Sequence, residues 1–324
     1  MVAARKLQPR DDDRSAFEVD VLRGLGATPK HLPPKYFYDE VGSRLFEQIT
    51  ELPEYYPTRC EIEILRKHAI DIGKLIPRGA VLIEFGAGAA TKARILLRAA
   101  PQLAAYVPVD INGEMIAREA AELRPDFPRL KVLPVRADIT TPFPLPAEAR
   151  SAAARVGFFP GSTIGNFEPH EAAGFLRNAA RILGPGAVLI IGVDLIKPVE
   201  VLTAAYNDKA GITAKFNCNL LKRINRELGG TFKLDSFEHH AFYNRERNRI
   251  EMHLASRKRQ RVTVAGASID FRAGETIHTE NSYKYSVESL DALARGIGWL
   301  PAANWTDDAK YFSIQAFTRA SAPR

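Results

Sequence analysis

The sequence predicts an α/β protein, a parallel sheet with helices on both faces, together with a second domain drawn from separate stretches of chain. Three observations carry this. Apolar, β-branched runs alternate with amphipathic helical patterns from about residue 61 onward, the pattern of strands joined by crossover helices. The first such run, 81–85, breaks into Gly86-Ala87-Gly88 and then into a helical stretch from Thr91. The alternation stops near residue 196 and resumes near 286, so an insertion interrupts the core.

The elements follow in order. Residues 1–14 are dominated by charge and predict a loose segment. Residues 33–59 are rich in aromatics and prolines, and Tyr36, Tyr38, Tyr55 and Tyr56 flank a short amphipathic helix over 39–50. A helix over 61–70 leads into the core. Strands are predicted at 81–85, 105–109, 131–135, 156–160 and 187–193, and helices at 91–99, 113–124, 169–183 and 286–297. The insertion holds a helix with Tyr206, another over 214–228, and at least two alternating strands. A final strand over 311–317 ends the pattern.

Composition narrows the function classes. The chain has 324 residues, 46% hydrophobic, which is enough for one large core or two ordinary ones. Its net charge of +7 is scattered rather than gathered on one stripe. The single dense cluster, Arg257-Lys258-Arg259-Gln260-Arg261, lies between two strand patterns and reads as a solvated turn. No aromatics interleave it, which argues against a nucleic-acid groove. Cys60 and Cys218 are far apart and lack metal-ligand neighbours, so neither a zinc site nor a disulfide framework is expected, and no metal. No apolar run approaches the roughly 20 residues of a membrane span, and no apolar signal region follows Met1. A reducing cytoplasm is the expected place, with no membrane partner.

The chemistry starts at the glycine turn. Strand, glycine turn and helix bring bare backbone N–H groups up to a nucleotide-like ligand. Two features turn the reading away from a dinucleotide. Thr91 stands where the third glycine of GxGxxG would be, and Glu84 precedes Gly86 by two residues. An acid, a spacer and Gly-x-Gly resemble motif I of the class I S-adenosylmethionine (SAM) methyltransferases. Asp110 ends the second strand 22 residues after Gly88, where an acid takes ribose hydroxyls. Asp138 ends the third, where a carboxylate can accept the exocyclic amine of adenine with Ile139 against the ring. Bland alternatives stand beside these: glycine turns also serve tight packing, and aspartates cap helices and turns.

With these segments side by side, the chain resembles the histidine-specific SAM-dependent methyltransferases, which make the trimethylhistidine betaine hercynine on the path to ergothioneine. The resemblance runs from about residue 32 to 317. It rests on LPPKYFYDEVGSRLFEQITELPEYYPTR, EFGAGAATK, PGSTIGNF, AGITAKFNCNLLKRINRE and TENSYKY. It implies a Rossmann-like class I SAM-methyltransferase domain over 61–195 and 286–324. A second, substrate-recognition domain would comprise 15–60 and 196–285, with substrate between the two. It implies SAM as cofactor, L-histidine as small-molecule substrate, no nucleic acid, and a monomer. By position it places Tyr38, Gly86, Gly88, Lys92, Asp110, Asp138 and Ile139 around SAM. Tyr55, Asn166, Tyr206, Met252, Glu280 and Ser282 fall around histidine, with Phe46 and Phe216 as further apolar wall. Tyr38 and Asn166 would stand at the reacting amine. Cys218 and Tyr283 depart from the family's common forms, and His278 and Asn281 flank Glu280.

These residue types suit the chemistry. Methyl transfer from a sulfonium is a direct displacement, so the protein supplies position and a dry site. An amide such as Asn166 can both donate and accept and so hold an amine, and Tyr206 can donate to a carboxylate. Tyr38 can face the amine as it becomes a fixed cation. Glu280 can accept an imidazole N–H, with Ser282 and Tyr55 reading the second ring nitrogen. Each also has a structural alternative: Asn166 in a turn, Tyr206 packed on its helix, Tyr38 in an aromatic core, Glu280 solvated on a strand. Rival functions are a methyltransferase of the same scaffold acting on tryptophan or arginine, a nicotinamide-dependent oxidoreductase, and a non-catalytic SAM- or amino-acid-binding protein.

Overall fold

The computed structural model describes residues 11–320, with side chains from Ser15 onward. The expected loose start lies outside the described residues over 1–10. Over 11–14 it is corrected: these residues open helix α1 (Asp11–Gly26). The chain continues through β1 (Lys30–His31), a 3-10 turn at Pro34–Phe37, α2 (Glu40–Glu51) and α3 (Tyr56–Lys74). Next come β2 (Val81–Phe85), α4 (Thr91–Ala99), β3 (Ala105–Asp110) and α5 (Gly113–Leu123). These are followed by β4 (Lys131–Val132), β5 (Val135–Arg136), α6 (Ala147–Arg150), β6 (Arg155–Phe159), α7 (Pro169–Leu183) and β7 (Val188–Asp194). The insertion supplies α8 (Val199–Tyr206), α9 (Ile212–Leu228), β8 (Phe237–Asn244), β9 (Arg249–Ser256), β10 (Gln260–Val264), β11 (Ala267–Phe271) and β12 (Thr276–Tyr283). Helix α10 (Val287–Arg295), β13 (Trp299–Thr306) and β14 (Phe312–Arg319) close the fold.

Local chemistry explains the differences from expectation. Helix α3 starts at Tyr56 rather than 61 because Pro57 suits the first turn, where its missing N–H costs nothing. The strand expected at 131–135 splits into β4 and β5 around Pro134, which has no N–H to donate and restricts Leu133. Strand β13 has no counterpart in the sequence reading. Pro301 interrupts its pattern, and the strand tolerates that proline because it is the sheet's edge, with a register shift between Pro301 and Ala303.

The described residues form two compact units. The larger comprises Tyr55–Val201, Asn244–Arg249 and Asn281–Arg324. Its sheet runs β13-β14-β7-β6-β2-β3-β4, with β5 also on β3. The strands from β7 to β4 are parallel, and β14 and β13 are antiparallel additions. Every residue of β2 is buried. Val81, Ile83 and Phe85 join Phe159, Phe175 and Trp299 on one face, while Leu82 joins Tyr106, Phe158 and Phe312 on the other. The two-residue period of the strand thus feeds two apolar layers at once. Strand order reverses between β2 and β6, the switch point at which open α/β sheets bind ligands.

The smaller unit comprises Met1–Glu54, Leu202–Tyr243 and Ile250–Glu280. Compared with the expected boundaries, 55–60, 196–201, 244–249 and 281–285 fall in the larger unit. A sheet of order β1-β12-β9-β8 and the hairpin β10–β11 make up its strands. Asp39 joins the N-terminal segment to the insertion: it caps α2 through Gly42 N at 2.7 Å, accepts from Asn219 at 2.8 Å, and pairs with Arg226 at 2.6 Å. Residues 257–259 form the turn between β9 and β10 and 260–261 open β10; all but Gln260 are exposed, as the sequence predicts.

Candidate functional site

The carboxyl edge of the parallel strands gathers the glycine turn and the strand-end acids. Gly86 has φ 71°, a conformation that favours glycine. Its N–H and that of Ala87 donate to Val109 O at 2.9 and 3.0 Å, which pins the turn to β3. Gly88 is exposed, and a Cβ built on it would meet nothing within 4 Å, so its backbone is open to close approach. Ile139 lies beside the turn, its Cδ1 at 3.7 Å from where a Cβ of Gly86 would sit. Asp110 ends β3 and accepts from Asn112 N at 2.8 Å. Burial pushes its carboxyl up to about 6. Asp138 accepts the N–H and hydroxyl of Thr140 on Oδ1, closing its own turn.

Lys92 and Glu84 have buried partners here. The Lys92 ammonium is 2.5 Å from Glu61, a fully buried carboxylate on α3 that also accepts Gly161 N–H at 3.0 and 2.9 Å. Lys92 therefore anchors the turn after β6, whatever else it does. Glu84 accepts the hydroxyl of Tyr106, and burial pushes it up to about 7 against that bond and the charge of Lys92.

The PGSTIGNF stretch follows β6. Gly161 and Ser162 both take left-handed conformations, φ 79° and 57°, and Ser162 Oγ accepts from Asp194 N at 2.9 Å. Asn166 ends the 3-10 turn Thr163–Asn166, half-buried, and among the described residues its amide finds no hydrogen-bond partner. Gly165 lies against the end of β12, where a Cβ would come within 2.8 Å of Tyr283 O. Beyond it is a buried charge cluster. Asp194 pairs with Lys284 at 2.8 Å and Lys197 at 2.5 Å, and Tyr56 donates to it at 2.8 Å. Burial opposes ionisation of Asp194, but the two lysines outweigh it and hold the carboxyl below its usual range. Burial also pushes Lys197 down to about 8. Lys284 donates to Ser282 Oγ at 2.6 Å. Tyr55, next to Tyr56, is buried at the start of α3.

Two of the departing residues have structural partners. Tyr283 and Asn281 donate to Glu168 at 2.7 and 3.1 Å, and Arg249 joins them at 2.7 Å. By strand alternation they point away from the face carrying Glu280 and Ser282. Cys218 is a half-buried free thiol whose pKa burial raises, which leaves it unreactive.

The smaller unit holds the remaining positions. Tyr38 packs edge-on to Phe46 and Phe216, with ring centroids at 5.6 and 5.8 Å. Met252 is buried on β9, and its carbonyl accepts from Thr279 at 3.0 Å. Tyr206 ends α8, buried, and its carbonyl accepts from His239 Nε2 at 2.9 Å. That bond makes Nδ1 the acceptor for Asn217 Nδ2 at 2.9 Å, and burial lowers the His239 pKa, so the ring is a neutral tie. Glu280 is buried on β12. Nearby, donor atoms of Glu251, His253 and His278 lie within 4.8 Å of one another. The two imidazoles, however, stack at 4.6 Å with 11° between planes. Their ring lone pairs run in parallel planes and do not converge on one ion unless a ring turns.

Sequence reasoning missed Glu61, Glu168 and the Asp194–Lys284 pair. Two of these carried a signal. Glu61 falls in step with Ile64 and Leu65 on the buried face of α3, and Lys284 shares strand phase with Glu280 and Ser282.

A parallel sheet with this strand order, an open glycine turn at the switch point and carboxylates at successive strand ends define an α/β enzyme that takes a nucleoside cofactor at its carboxyl edge. Residues 17–319 match the family described as "Histidine-specific methyltransferase, SAM-dependent", and the chain belongs to that family. It is 42% identical over 316 residues to the histidine N-alpha-methyltransferase of Mycolicibacterium smegmatis, covering 95% of this chain and 97% of that one. The Mycobacterium tuberculosis protein of the same name is 40% identical, over 94% of this chain and 95% of that one. An L-tryptophan methyltransferase of Psilocybe serbica is 26% identical, over 94% and 93%. The protein is a SAM-dependent methyltransferase with a Rossmann-like class I domain. Its residues fit the cofactor: Gly88 leaves backbone open, and Asp110 offers a carboxylate to hydroxyl donors. No described helix is long and apolar enough to cross a membrane.

Proposed function

We propose that this enzyme methylates the α-amine of L-histidine three times, giving hercynine, a step of ergothioneine biosynthesis, and that it acts as a cytoplasmic monomer. SAM supplies the methyl group from its sulfonium. Asp110 takes the ribose hydroxyls, Asp138 and Ile139 the adenine, and the Gly86–Gly88 turn the remainder. Lys92 acts on the cofactor side by anchoring the turn that presents Asn166. Asn166 holds the amine and Tyr206 the carboxylate. Tyr38 faces the amine, and its ring shields the growing cation. Met252 with Phe46 and Phe216 forms the apolar wall. Tyr55, Glu280 and Ser282 read the imidazole.

The observation that carries the histidine reading is the buried pair Glu280 and Ser282, two residues apart on β12 and in phase, in a chain of this family. A carboxylate accepts an imidazole N–H strongly, so a pocket that presents Glu280 favours side chains that bring a donor. The test is a competition assay with SAM and equal histidine, tryptophan and arginine, read by product mass for one, two and three added methyls. Histidine should dominate and reach the trimethyl product. Preference for tryptophan or arginine overturns the substrate while leaving the methyltransferase intact.

A further inference from the structure

Glu61 is given no ligand in the roles assigned above, yet it joins two parts of the site. Its side chain is fully buried on α3. Oε2 lies 2.5 Å from the ammonium of Lys92, in the first turn of the helix that follows the glycine turn. Both carboxylate oxygens accept the Gly161 N–H, at 3.0 and 2.9 Å, where the PGSTIGNF stretch leaves β6. One carboxylate thus ties the cofactor turn to the turn that ends at Asn166. That second turn is short and closed on itself, with Gly165 N–H donating to Ser162 O at 2.8 Å, so a shift at Gly161 carries through to Asn166. The carboxylate has little room of its own. Gly192 on β7 leaves the space it fills, and a Cβ built there would lie 2.1 Å from Oε1 and 3.0 Å from Cδ. Stability alone does not call for this arrangement, because apolar side chains of similar volume often serve a core as well as a buried ion pair does. What the carboxylate adds is a fixed distance between the groups it holds.

We propose that Glu61 is a positioning residue for methyl transfer, a strut that sets the distance between the cofactor turn and Asn166. The proposal rests on the placement of Lys92 on the cofactor side and Asn166 at the amine, and deepens it. Direct displacement needs the nitrogen, the methyl carbon and the sulfur in line, and a misplacement of about 1 Å costs on the order of a hundredfold in rate. Glu61 stands behind both turns. Loosening it therefore disturbs the alignment of the two bound ligands more than the affinity for either one. A residue that only held the fold together would lower the melting temperature and leave the rate of the folded enzyme unchanged.

The experiment compares the full-length wild type with Glu61→Gln, whose carbonyl can still accept the Gly161 N–H but which brings no charge to Lys92. The first methyl transfer is timed in single turnover, with enzyme and amino acid saturating, so that the folded fraction does not enter the rate. Calorimetry gives the affinities for S-adenosylhomocysteine and for the amino acid. The amino acid is whichever one the competition assay shows the wild type to methylate, so a substrate other than histidine overturns the histidine reading and leaves this test standing. The transfer rate should fall by about tenfold or more in Glu61→Gln, while each affinity changes by no more than about threefold. An unchanged rate, or a loss confined to the affinities, overturns the proposal. If Glu61→Gln does not fold, Gly192→Ala decides, because its methyl group displaces the carboxylate and leaves the charge in place. The same loss of rate in Gly192→Ala supports the strut, and a wild-type rate in the folded variant overturns it.

Discussion

At Asp110, burial and ligand chemistry pull in opposite directions. Burial pushes its carboxyl up to about 6, whereas ribose hydroxyls are held best by the ionised form. Affinity for S-adenosylhomocysteine should therefore fall as pH drops through 6, by up to about tenfold per pH unit. Asp110→Ala should weaken binding at neutral pH by about tenfold or more and flatten that profile. Calorimetry across pH 5 to 8 checks both; an unchanged affinity in the folded variant removes Asp110 from the site. Asn166 gives the complementary expectation. Its amide is uncommitted among the described residues, so Asn166→Ala should raise the KM for histidine by about tenfold and leave S-adenosylhomocysteine binding nearly intact. Equal loss of both ligands would make Asn166 a purely structural turn residue. At this scale, what was legible was local. Gly86, Asp110 and Ile139 come together because strand-end positions follow from strand spacing. Lys92 was harder to read, because its partner Glu61 lies on a different helix and no local pattern names it.

Among elements, the turn after β6 and the end of β12 depend on each other. Gly165 approaches the Tyr283 backbone so closely that a Cβ would sit 2.8 Å from its carbonyl oxygen. Backbone cannot swing aside as a side chain can, so Gly165→Ala must shift either the Asn166 turn or the strand end that carries Ser282. The expected result is a lower melting temperature, from a loss of about 1–3 kcal/mol, together with a raised KM for histidine. Thermal melts and steady-state kinetics on the same preparation check it; a variant matching the wild type in both would show that the turn and strand are not coupled. Elements with clean periodicity, such as β2, α4 and α7, were legible at nearly their observed bounds. Strand β13 was not, because Pro301 breaks its pattern and its place at the edge of the sheet is a tertiary fact. The insertion, read as holding at least two strands, holds five, β8 to β12; β1, outside it, was not legible because its two residues find β12 only across the length of the chain.

For the whole molecule, stability across pH turns on a few buried charges whose pairing no sequence pattern reveals. The acid before the glycine turn was legible as a motif residue, but its enclosure was not. Glu84 is wholly buried in β2, and burial pushes it up to about 7 from an ordinary 4.5. Below 4.5 both the folded and unfolded chains hold its proton, and the group costs nothing. Between 4.5 and 7 the folded chain keeps a proton that the unfolded chain has released, so stability falls as pH rises. Above 7 the folded chain carries a buried carboxylate, at a steady cost on the order of 3 kcal/mol. Asp194 runs the other way. Burial alone would raise it, but Lys284 and Lys197 hold it low, so its contribution is present at neutral pH and lost on acidification below the ordinary aspartate range. Glu84→Gln separates the two. The amide can still accept from the Tyr106 hydroxyl, although its own N–H groups need new partners, so the variant's absolute stability at any single pH is uninformative. The difference between variant and wild type is informative, because Asp194 cancels from it. That difference should shift in the variant's favour as pH rises from 4.5 to 7 and then level off. Urea denaturation at half-unit steps from pH 4.5 to 8 measures it, and a difference that stays flat over that range would mean Glu84 ionises in the folded protein as it does in the unfolded chain.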